Sequence, residues 1–229
     1  MLRKAPSAGA RQPPSLRFRR VSARSGEGRR AGGLVRAADL LQGKPLLGRG
    51  AGRGRDRARG ETRFDYELEL GVFLSRKGKD IRPEDAYDHI FGYCIFNDFT
   101  ARTAQLREMT GQLGPAKGKD FDTGNAMGPW LVTADEVSDP HNLTMTARIN
   151  GEEWSRGNSG EMHHKFPAVL AHISSDETLY AGEFIGSGTV GSGCGLELGR
   201  FLKHGDVVEL EIEGLGILRN RVVDRSAGV

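Results

Sequence analysis

Residues 64–73 read FDYELELGVF, and their hydrophobic and polar side chains alternate. Side chains of a β-strand point alternately to its two faces, so this period-two pattern predicts a strand with one apolar face. Glu67 and Glu69 stand two residues apart on this strand, which places both carboxylates on its opposite, polar side. We therefore expect residues 64–73 to form one strand that carries an acidic pair.

Most of the chain beyond this strand reads as further short strands. The predicted strands cover residues 90–96, 130–133, 143–149, 152–155, 183–188, 207–212 and 217–223. The predicted helical segments cover residues 83–90, 102–109 and 163–174, and residues 117–129 read as a loop. Asn150-Gly151 favours a β-hairpin because both residues tolerate positive φ. Many strands without regular βαβ alternation predict a β-rich α+β domain over residues 61–229, rather than a Rossmann sheet.

Residues 1–60 differ from the rest of the chain in composition and charge. They hold 16 Lys and Arg against 3 Asp and Glu, a net charge of +13, and one aromatic residue, Phe18. Residues 61–229 hold 17 against 27, a net charge of −10, so the overall +3 describes neither part. The first segment cannot bury enough apolar surface to offset its chain entropy. We expect an Arg/Gly-rich, disordered leader.

Three interpretations of this leader remain open. An Arg-Gly arm would bind nucleic-acid backbones, but the aromatic residues that stack on bases are missing. A mitochondrial transit peptide fits the absence of acids before Glu27, although Gln12-Pro13-Pro14 interrupts an amphipathic helix. We favour translation out of frame, because GC-rich DNA read in a shifted frame encodes Arg, Gly, Ala and Pro. A shift of one nucleotide over residues 34–45 can encode an aromatic peptide instead.

Composition excludes two broad classes of protein. The longest apolar runs fall far short of the roughly 18 residues that a membrane span requires. The two cysteines, Cys94 and Cys194, are too few for a disulfide framework. The default is therefore a reducing compartment, either the cytoplasm or, if the leader is a genuine transit peptide, the mitochondrion.

Three carboxylates are predicted to converge in the folded chain. Glu67 and Glu69 share one strand, and Asp98 ends the next predicted strand. Carboxylates this close repel one another unless a cation or a proton lies between them. Three such oxygen ligands suit a hard divalent cation, Mg²⁺ or Mn²⁺, with Ca²⁺ as an alternative. The competing interpretation is a solvated strand face that binds no ion.

Four further residues are candidates for a ligand site. Arg102, Gln105 and Lys119 follow the carboxylates along the chain, although each also fits a surface charge or a loop hydrogen bond. Thr189 ends the glycine-rich run 186–189, where the backbone can approach a ligand closely. A tight strand end would have the same composition. No P-loop lysine follows this run, so it is not a nucleotide-binding motif.

Six motifs, in this order and spacing, carry a family resemblance. They are Asp65-Tyr66-Glu67-Leu68-Glu69, Gly92-Tyr93 with Asn97-Asp98-Phe99-Thr100-Ala101-Arg102, Gly118-Lys119-Asp120-Phe121-Asp122-Thr123, Gly128-Pro129-Trp130, Asn150-Gly151-Glu152 and Gly186-Ser187-Gly188-Thr189. Together they closely resemble the fumarylacetoacetate hydrolase superfamily over roughly residues 64–223. Each motif is weak alone, but the set is highly specific.

The resemblance implies a fold, a cofactor and a set of site residues. The fold is a mixed β-roll of layered sheets with few short helices, in a protein that forms a homodimer. The site depends on Mg²⁺ or Mn²⁺. By position, the implied residues are the metal ligands Glu67, Glu69 and Asp98, the carbonyl-polarising Lys119, and the substrate-site residues Arg102, Gln105 and Thr189.

The implied activity is hydrolysis of a C–C bond in a 1,3-dicarbonyl or 2-oxo acid, such as an acylpyruvate or a diketo-deoxy acid. The reaction passes through a metal-stabilised enolate. Hydratases, decarboxylases and isomerases of 2-oxo acids would share that enolate, so the metal residues do not separate them. A third possibility, an impaired core with a nucleic-acid-binding arm, is disfavoured by the intact metal residues.

The chain departs from the family at the general base. Relatives commonly supply a His and a Glu from an N-terminal segment, whereas residues 1–60 contain no histidine. His163-His164 offers a replacement base or a substrate contact. The simpler interpretation of this pair, which we prefer, is a polar helix start.

Overall fold

A computed structural model describes residues 60–112 and 114–224, together with the backbone of three short strands nearer the N-terminus. The predictions made for the remainder of residues 1–59 lie outside the described residues. The strands are β1 (Phe18–Arg20), β2 (Leu41–Gly43), β3 (Gly54–Asp56), β4 (Phe64–Asp65), β5 (Leu68–Leu74), β6 (Ile90–Asp98), β7 (Thr100–Ala101), β8 (Asn125–Thr133), β9 (Thr144–Ile149), β10 (Glu152–Asn158), β11 (Phe184–Gly186), β12 (Val207–Ile212) and β13 (Gly216–Val223). The α-helices are α1 (Arg102–Met109), α2 (Phe166–Ser174) and α3 (Gly195–Leu198), and 3-10 helices cover Pro83–His89, Ala134–Glu136 and Ser159–Glu161.

The larger sheet has six strands in the order β2-β1-β11-β5-β6-β8. Residues 64–73, predicted as one strand, form two, because β4 pairs with β7 in a separate two-stranded sheet and β5 begins at Leu68. The face predicted to be polar is buried as well, with Glu67 and Glu69 inside the protein. Beyond the glutamates, Phe96 and Phe184 form an apolar cluster on that face.

The smaller sheet has five strands in the order β10-β9-β12-β13-β3. The hairpin predicted at Asn150-Gly151 is confirmed, since it joins β9 to β10 with φ values of 54° and 84°. Both residues adopt the left-handed backbone conformation with positive φ, as a tight two-residue turn between antiparallel strands requires. The pairs β9–β10, β9–β12 and β12–β13 are all antiparallel.

The two sheets and α2 share one hydrophobic core. The prediction that Phe166, Leu170 and Ile173 lie on one helix face is confirmed, since all three are buried in this core. The contributing strand residues are Leu68, Leu70 and Val72 of β5, Met145, Ala147 and Ile149 of β9, and Val208, Leu210 and Ile212 of β12. The β-rich fold of layered sheets with few short helices is therefore confirmed. In the described part of the chain, no helix is long and apolar enough to cross a membrane.

Several boundaries and one element differ from the sequence prediction. Strand β10 continues to Asn158 instead of ending at residue 155, and β11 is limited to Phe184–Gly186. Strand β8 begins at Asn125, not at residue 130, because the Gly- and Pro-containing stretch predicted as loop pairs with β6. Helix α2 begins at Phe166, not at residue 163. The four-residue helix α3 was not predicted, since its Gly-rich surroundings carry no helical period.

The solvent-facing side of the smaller sheet carries a row of alternating charge across four strands. In register, Glu153 of β10 faces Arg148 of β9, which faces Glu209 of β12, which faces Arg219 of β13. Arg148 also lies 2.6 Å from Glu211. Opposite charges on neighbouring strands stabilise their pairing, whereas like charges directly opposite destabilise it.

We expect Arg148→Glu to lower the free energy of unfolding by about 1 kcal/mol, because it places like charges in register on β9 and β12. Urea denaturation of the wild-type and variant proteins measures this difference. Arg76→Glu, which breaks the pair with Asp88 away from this sheet, is the control and should change stability less. Equal effects of the two reversals would contradict the charge-row interpretation.

Candidate active site

Two neighbouring strands bring three carboxylates together. Glu67 directly precedes β5, Glu69 lies on β5, and Asp98 ends β6, which pairs antiparallel with β5. One carboxylate oxygen from each residue lies within 4.8 Å of the other two, and all three side chains are buried. The predicted convergence is therefore present, and the solvated-face alternative for these residues is wrong.

Lys119 places its side-chain nitrogen among these carboxylates. Its Nζ lies 2.6 Å from Glu67 Oε2 and 3.0 Å from Asp98 Oδ2. It also donates a hydrogen bond of 2.6 Å to Thr100 Oγ1. Lys119 is buried, so these ionic contacts are shielded from bulk water. The alternative that Lys119 is a surface charge is wrong.

Arg102 and Gln105 project from α1 toward the same carboxylates and are also buried. Arg102 Nη1 lies 2.9 Å from Glu67 Oε1 and donates to Gln105 Oε1 at 2.8 Å. Arg102 Nε and Nη2 each lie 2.7 Å from Asp65 Oδ2. The guanidinium therefore bridges two carboxylates, and Gln105 supports it from the next turn of the helix.

Asp65 anchors this arrangement, and the sequence analysis assigned it no role. Besides Arg102, its carboxylate accepts hydrogen bonds from the amides of Tyr66, Gly195 and Leu196 at 2.7–2.9 Å. Burial raises the pKa of Asp65 above its ordinary value, and the positive charge of Arg102 together with these hydrogen bonds opposes that rise. The alternation of side chains over residues 64–69 could have predicted this role, because it places Asp65 on the same side of the strand as the two glutamates.

Two other residues next to Asp98 were missed. Asn97 Oδ1 accepts a hydrogen bond from the backbone amide of Glu67 at 3.0 Å. This contact fixes the backbone of Glu67 directly before β5 begins. Thr100 Oγ1 accepts from Lys119 and donates to the carbonyl oxygen of Asp98 at 2.9 Å. Both residues lie in the same motif as Asp98, but only the contacts between strands reveal their roles.

The two glutamates experience opposite electrostatic environments. Burial alone would raise the pKa of Glu67, but the positive charges of Lys119 and Arg102 outweigh it and lower that pKa below its ordinary value. Burial, followed by the negative charges of Asp98 and Glu67, raises the pKa of Glu69 well above its ordinary value. The positive charge near Glu69 is thus too small to offset its burial and the neighbouring carboxylates.

The charge count of the buried network fits a divalent cation. Asp65, Glu67, Glu69 and Asp98 supply four carboxylates, whereas Lys119 and Arg102 supply two positive charges. With all groups ionised, two negative charges remain uncompensated, and burying them is costly. The three converging carboxylates offer the oxygen ligands that Mg²⁺ and Mn²⁺ prefer. Glu67, Glu69 and Asp98 could therefore hold such an ion.

The glycine-rich run 186–189 lies against Glu69. The amide of Gly188 donates to Glu69 Oε2 at 3.0 Å, and a Cβ on Gly186 would stand 2.5 Å from the same oxygen. Glycine at 186 is thus required by close approach. Thr189 follows directly and is partly buried. The backbone of the run therefore contacts the carboxylate cluster, as expected for a segment that borders the site.

The histidine contacts that the structure provides lie elsewhere. His141 packs against Phe166, and His163 and His164 pack against each other. His204 Nδ1 accepts the amide of Asp224 at 2.9 Å. None of these contacts involves the carboxylates, so His163-His164 finds no support as a base at this site.

Comparison with known proteins identifies the family to which this site belongs. The model of the fumarylacetoacetate hydrolase C-terminal domain matches residues 41–223, most of the chain. The chain belongs to the fumarylacetoacetate hydrolase family. The resemblance drawn from the sequence motifs is therefore confirmed, and the match extends into the segment predicted to be a leader.

Two curated members of the fumarylacetoacetate hydrolase family are similar to the chain over more than two thirds of its length. Oxaloacetate tautomerase FAHD2A, mitochondrial, from Homo sapiens is 42% identical over 160 residues, which are 69% of this chain and 50% of the relative. Oxaloacetate tautomerase YisK from Bacillus subtilis is 38% identical over 162 residues, which are 70% and 52% of the two chains. The chain thus spans about half the length of these relatives.

A solved structure from the fumarylacetoacetate hydrolase family shows the same fold. Fumarylacetoacetate hydrolase from Exiguobacterium antarcticum superimposes with a TM-score of 0.81 at 32% identity. The superposition covers 93% of this chain and 76% of that structure. The layered β-rich architecture is therefore that of the family.

We expect Glu69→Gln to weaken Mn²⁺ binding by at least about tenfold, because it removes one of the three charged ligands. Isothermal titration calorimetry on chelator-stripped protein measures the affinity. Glu136→Gln, which changes an exposed glutamate outside the cluster, is the control and should bind Mn²⁺ like the wild type. Unchanged affinity in Glu69→Gln would contradict the ligand assignment.

We expect Asp65→Asn to destabilise the protein by about 3–5 kcal/mol, because it leaves Arg102 buried with half of its ionic partners. Chemical denaturation measures this loss. The matched control is Asp85→Asn, which breaks another Asp–Arg pair, also at 2.7 Å but exposed. That control should leave stability unchanged within measurement error. Similar losses in both variants would argue against Asp65 as the anchor.

Proposed function

We propose that the protein is a divalent-metal-dependent enzyme that stabilises the enolate or enol form of a 2-oxo acid, and that it interconverts the enol and keto forms of oxaloacetate. The observation that carries this proposal is the contact of Lys119 with two of the three converging, buried carboxylates. The relatives that are 42% and 38% identical, both named oxaloacetate tautomerases, support the choice of reaction.

The buried network has the charges that enolate chemistry needs. A divalent cation held by Glu67, Glu69 and Asp98 would supply a Lewis acid for the substrate oxygens. Lys119 adds a fixed positive charge beside the ligands, where negative charge develops on the enolate oxygen. Because Thr100 and the carboxylates hold Lys119 Nζ in advance, little reorganisation is needed during the reaction.

The remaining residues hold the site and border the substrate. Arg102 is occupied by Asp65, Glu67 and Gln105, so we assign Arg102 and Gln105 to bracing the site. Thr189 follows the amide that contacts Glu69, and we assign it to a carboxylate of the substrate. A 2-oxo dicarboxylic acid would then lie between the metal ligands and the glycine-rich run.

Tautomerisation moves one proton from the enol oxygen and adds one at the neighbouring carbon, so no water has to be activated. This is consistent with the described histidine contacts, all of which lie outside the site. Hydrolysis of a C–C bond in an acylpyruvate or a diketo-deoxy acid is the second candidate. The 32% identical structure named fumarylacetoacetate hydrolase supports it. The homodimer, the compartment and the metal's identity stay predictions.

The test compares oxaloacetate and an acylpyruvate on chelator-stripped protein with and without Mg²⁺. The ultraviolet absorbance of the enol form measures its concentration. We expect the protein to accelerate the disappearance of enol oxaloacetate only when Mg²⁺ is present. Lys119→Met should lower kcat by about a hundredfold or more, as expected for loss of a group that stabilises the developing oxyanion. Lys203→Met, on an exposed lysine, is the control.

Three results would count against the proposal. Turnover of oxaloacetate without metal would contradict the role of the acidic cluster. Full activity in Lys119→Met would contradict the role of the lysine. Metal-dependent cleavage of the acylpyruvate with no effect on enol oxaloacetate would favour the hydrolase instead.

A further inference from the structure

Helix α1 and the residues after it deliver both cations to Glu67. Arg102, at the start of α1, lies 2.9 Å from Oε1 of Glu67. Lys119 lies ten residues beyond Met109, the last residue of α1, yet its Nζ lies 2.6 Å from Oε2 of Glu67. Arg102 is fixed by Asp65. The side chain of Lys119 is held by its own ionic partners, and its backbone also depends on the contacts that hold Lys117 and Gly118 against the helix.

Glu108, in the last turn of α1, makes that attachment. Its Oε1 accepts the amide of Lys117 at 2.8 Å, and its Oε2 accepts the amide of Gly118 at 2.9 Å. One carboxylate thus holds two consecutive amides immediately before Lys119. Hydrogen bonds to an ionised acceptor are stronger than those between neutral groups.

Gly118 also packs closely on the first turns of the helix. The carbonyl oxygen of Gly118 accepts the amide of Ala101 at 2.8 Å. A Cβ on Gly118 would stand 2.7 Å from the backbone of Gln105, so only glycine allows this approach. The contacts at Ala101 and Gln105 are backbone packing, whereas Glu108 contributes a charged side chain to the attachment.

The location of Glu108 is unfavourable for helix stability alone. A negative side chain in the last turn meets the negative end of the helix dipole, where a positive side chain is preferred. The two amide hydrogen bonds offset that repulsion. A glutamate at this position is therefore explained by the segment that it holds.

We propose that Glu108 is a positioning residue that holds residues 117–118 against α1 and thereby keeps Lys119 Nζ between Glu67 and Asp98. Its effect on catalysis rests on the proposed function. Its effect on the position of Lys119 does not, because that position can be measured without substrate.

The experiment compares Glu108→Ala, which loses both acceptors, with Glu108→Gln, which keeps one oxygen to accept an amide. Glu136→Ala is the control, since Glu136 is exposed and accepts the hydroxyl of Thr133 at 3.2 Å, away from the site. Each full-length protein is loaded with Mn²⁺. The rate at which an amine-specific acylating reagent modifies Lys119 is then measured by mass spectrometry.

We expect Lys119 in Glu108→Ala to be modified about tenfold faster than in the wild type, the factor that corresponds to losing a hydrogen bond to a charged group. Glu108→Gln should be intermediate, and Glu136→Ala should match the wild type. Hydrogen exchange at the amides of Lys117 and Gly118 should rise in the same order. Mn²⁺ affinity should change by less than about twofold, because Glu67, Glu69 and Asp98 lie on β5 and β6 or directly before β5, not on the segment that Glu108 holds.

With oxaloacetate as substrate, kcat should be lowest in Glu108→Ala, intermediate in Glu108→Gln and unchanged in Glu136→Ala, while KM stays nearly constant. If the wild type does not turn over oxaloacetate, the proposed function fails, and labelling alone decides the role of Glu108. Wild-type labelling of Lys119 in Glu108→Ala would overturn the proposal. A tenfold loss of Mn²⁺ affinity in that variant would also overturn it, since the effect would then not be confined to Lys119. Should Glu108→Ala fail to fold, the same criteria apply to Glu108→Gln.

Discussion

The need to neutralise four buried carboxylates governs the architecture of the site. Asp65, Glu67, Glu69 and Asp98 lie where solvent cannot screen their repulsion, so each requires a donor or a cation from the surrounding protein. Arg102 and Lys119 supply two positive charges toward this requirement. The contact between Lys119 and Glu67 joins the β5–β6 hairpin to the segment after α1, and the remaining negative charge is centred on Glu69.

Strand geometry explains why the carboxylates can converge at all. An antiparallel pair places the start of one strand beside the end of the next, so ligands that are distant in sequence become neighbours. Leu68 pairs with Asn97, which brings Glu67 and Asp98 to the same end of the hairpin. The apolar cluster farther along that face, around Phe96 and Phe184, separates the charges from the rest of the sheet.

Much of the fold and part of the site followed from local patterns. The Asn150-Gly151 hairpin, the bounds of β12 and the apolar face of α2 depend on neighbours in sequence, and these predictions were correct. The break between β4 and β5 was missed because alternation continues through residues 66–67, although the hydrogen-bonding partner changes. Asp65 was missed for a related reason. Its role comes from the amides of Gly195 and Leu196, about 130 residues away in sequence.

The same physical reasoning explains why the site identifies a class of chemistry more readily than a single reaction. A cation held by the three carboxylates, together with Lys119, would stabilise negative charge on oxygen, and tautomerisation, hydration and C–C cleavage all develop that charge. What separates these reactions is the supply of water and of a base, which depends on surfaces around the cluster. Arg102 is buried and paired with Asp65 and Glu67, so its charge is used within the cluster itself. In the proposed function, the cluster sets the type of intermediate, and the segments that border it select the product.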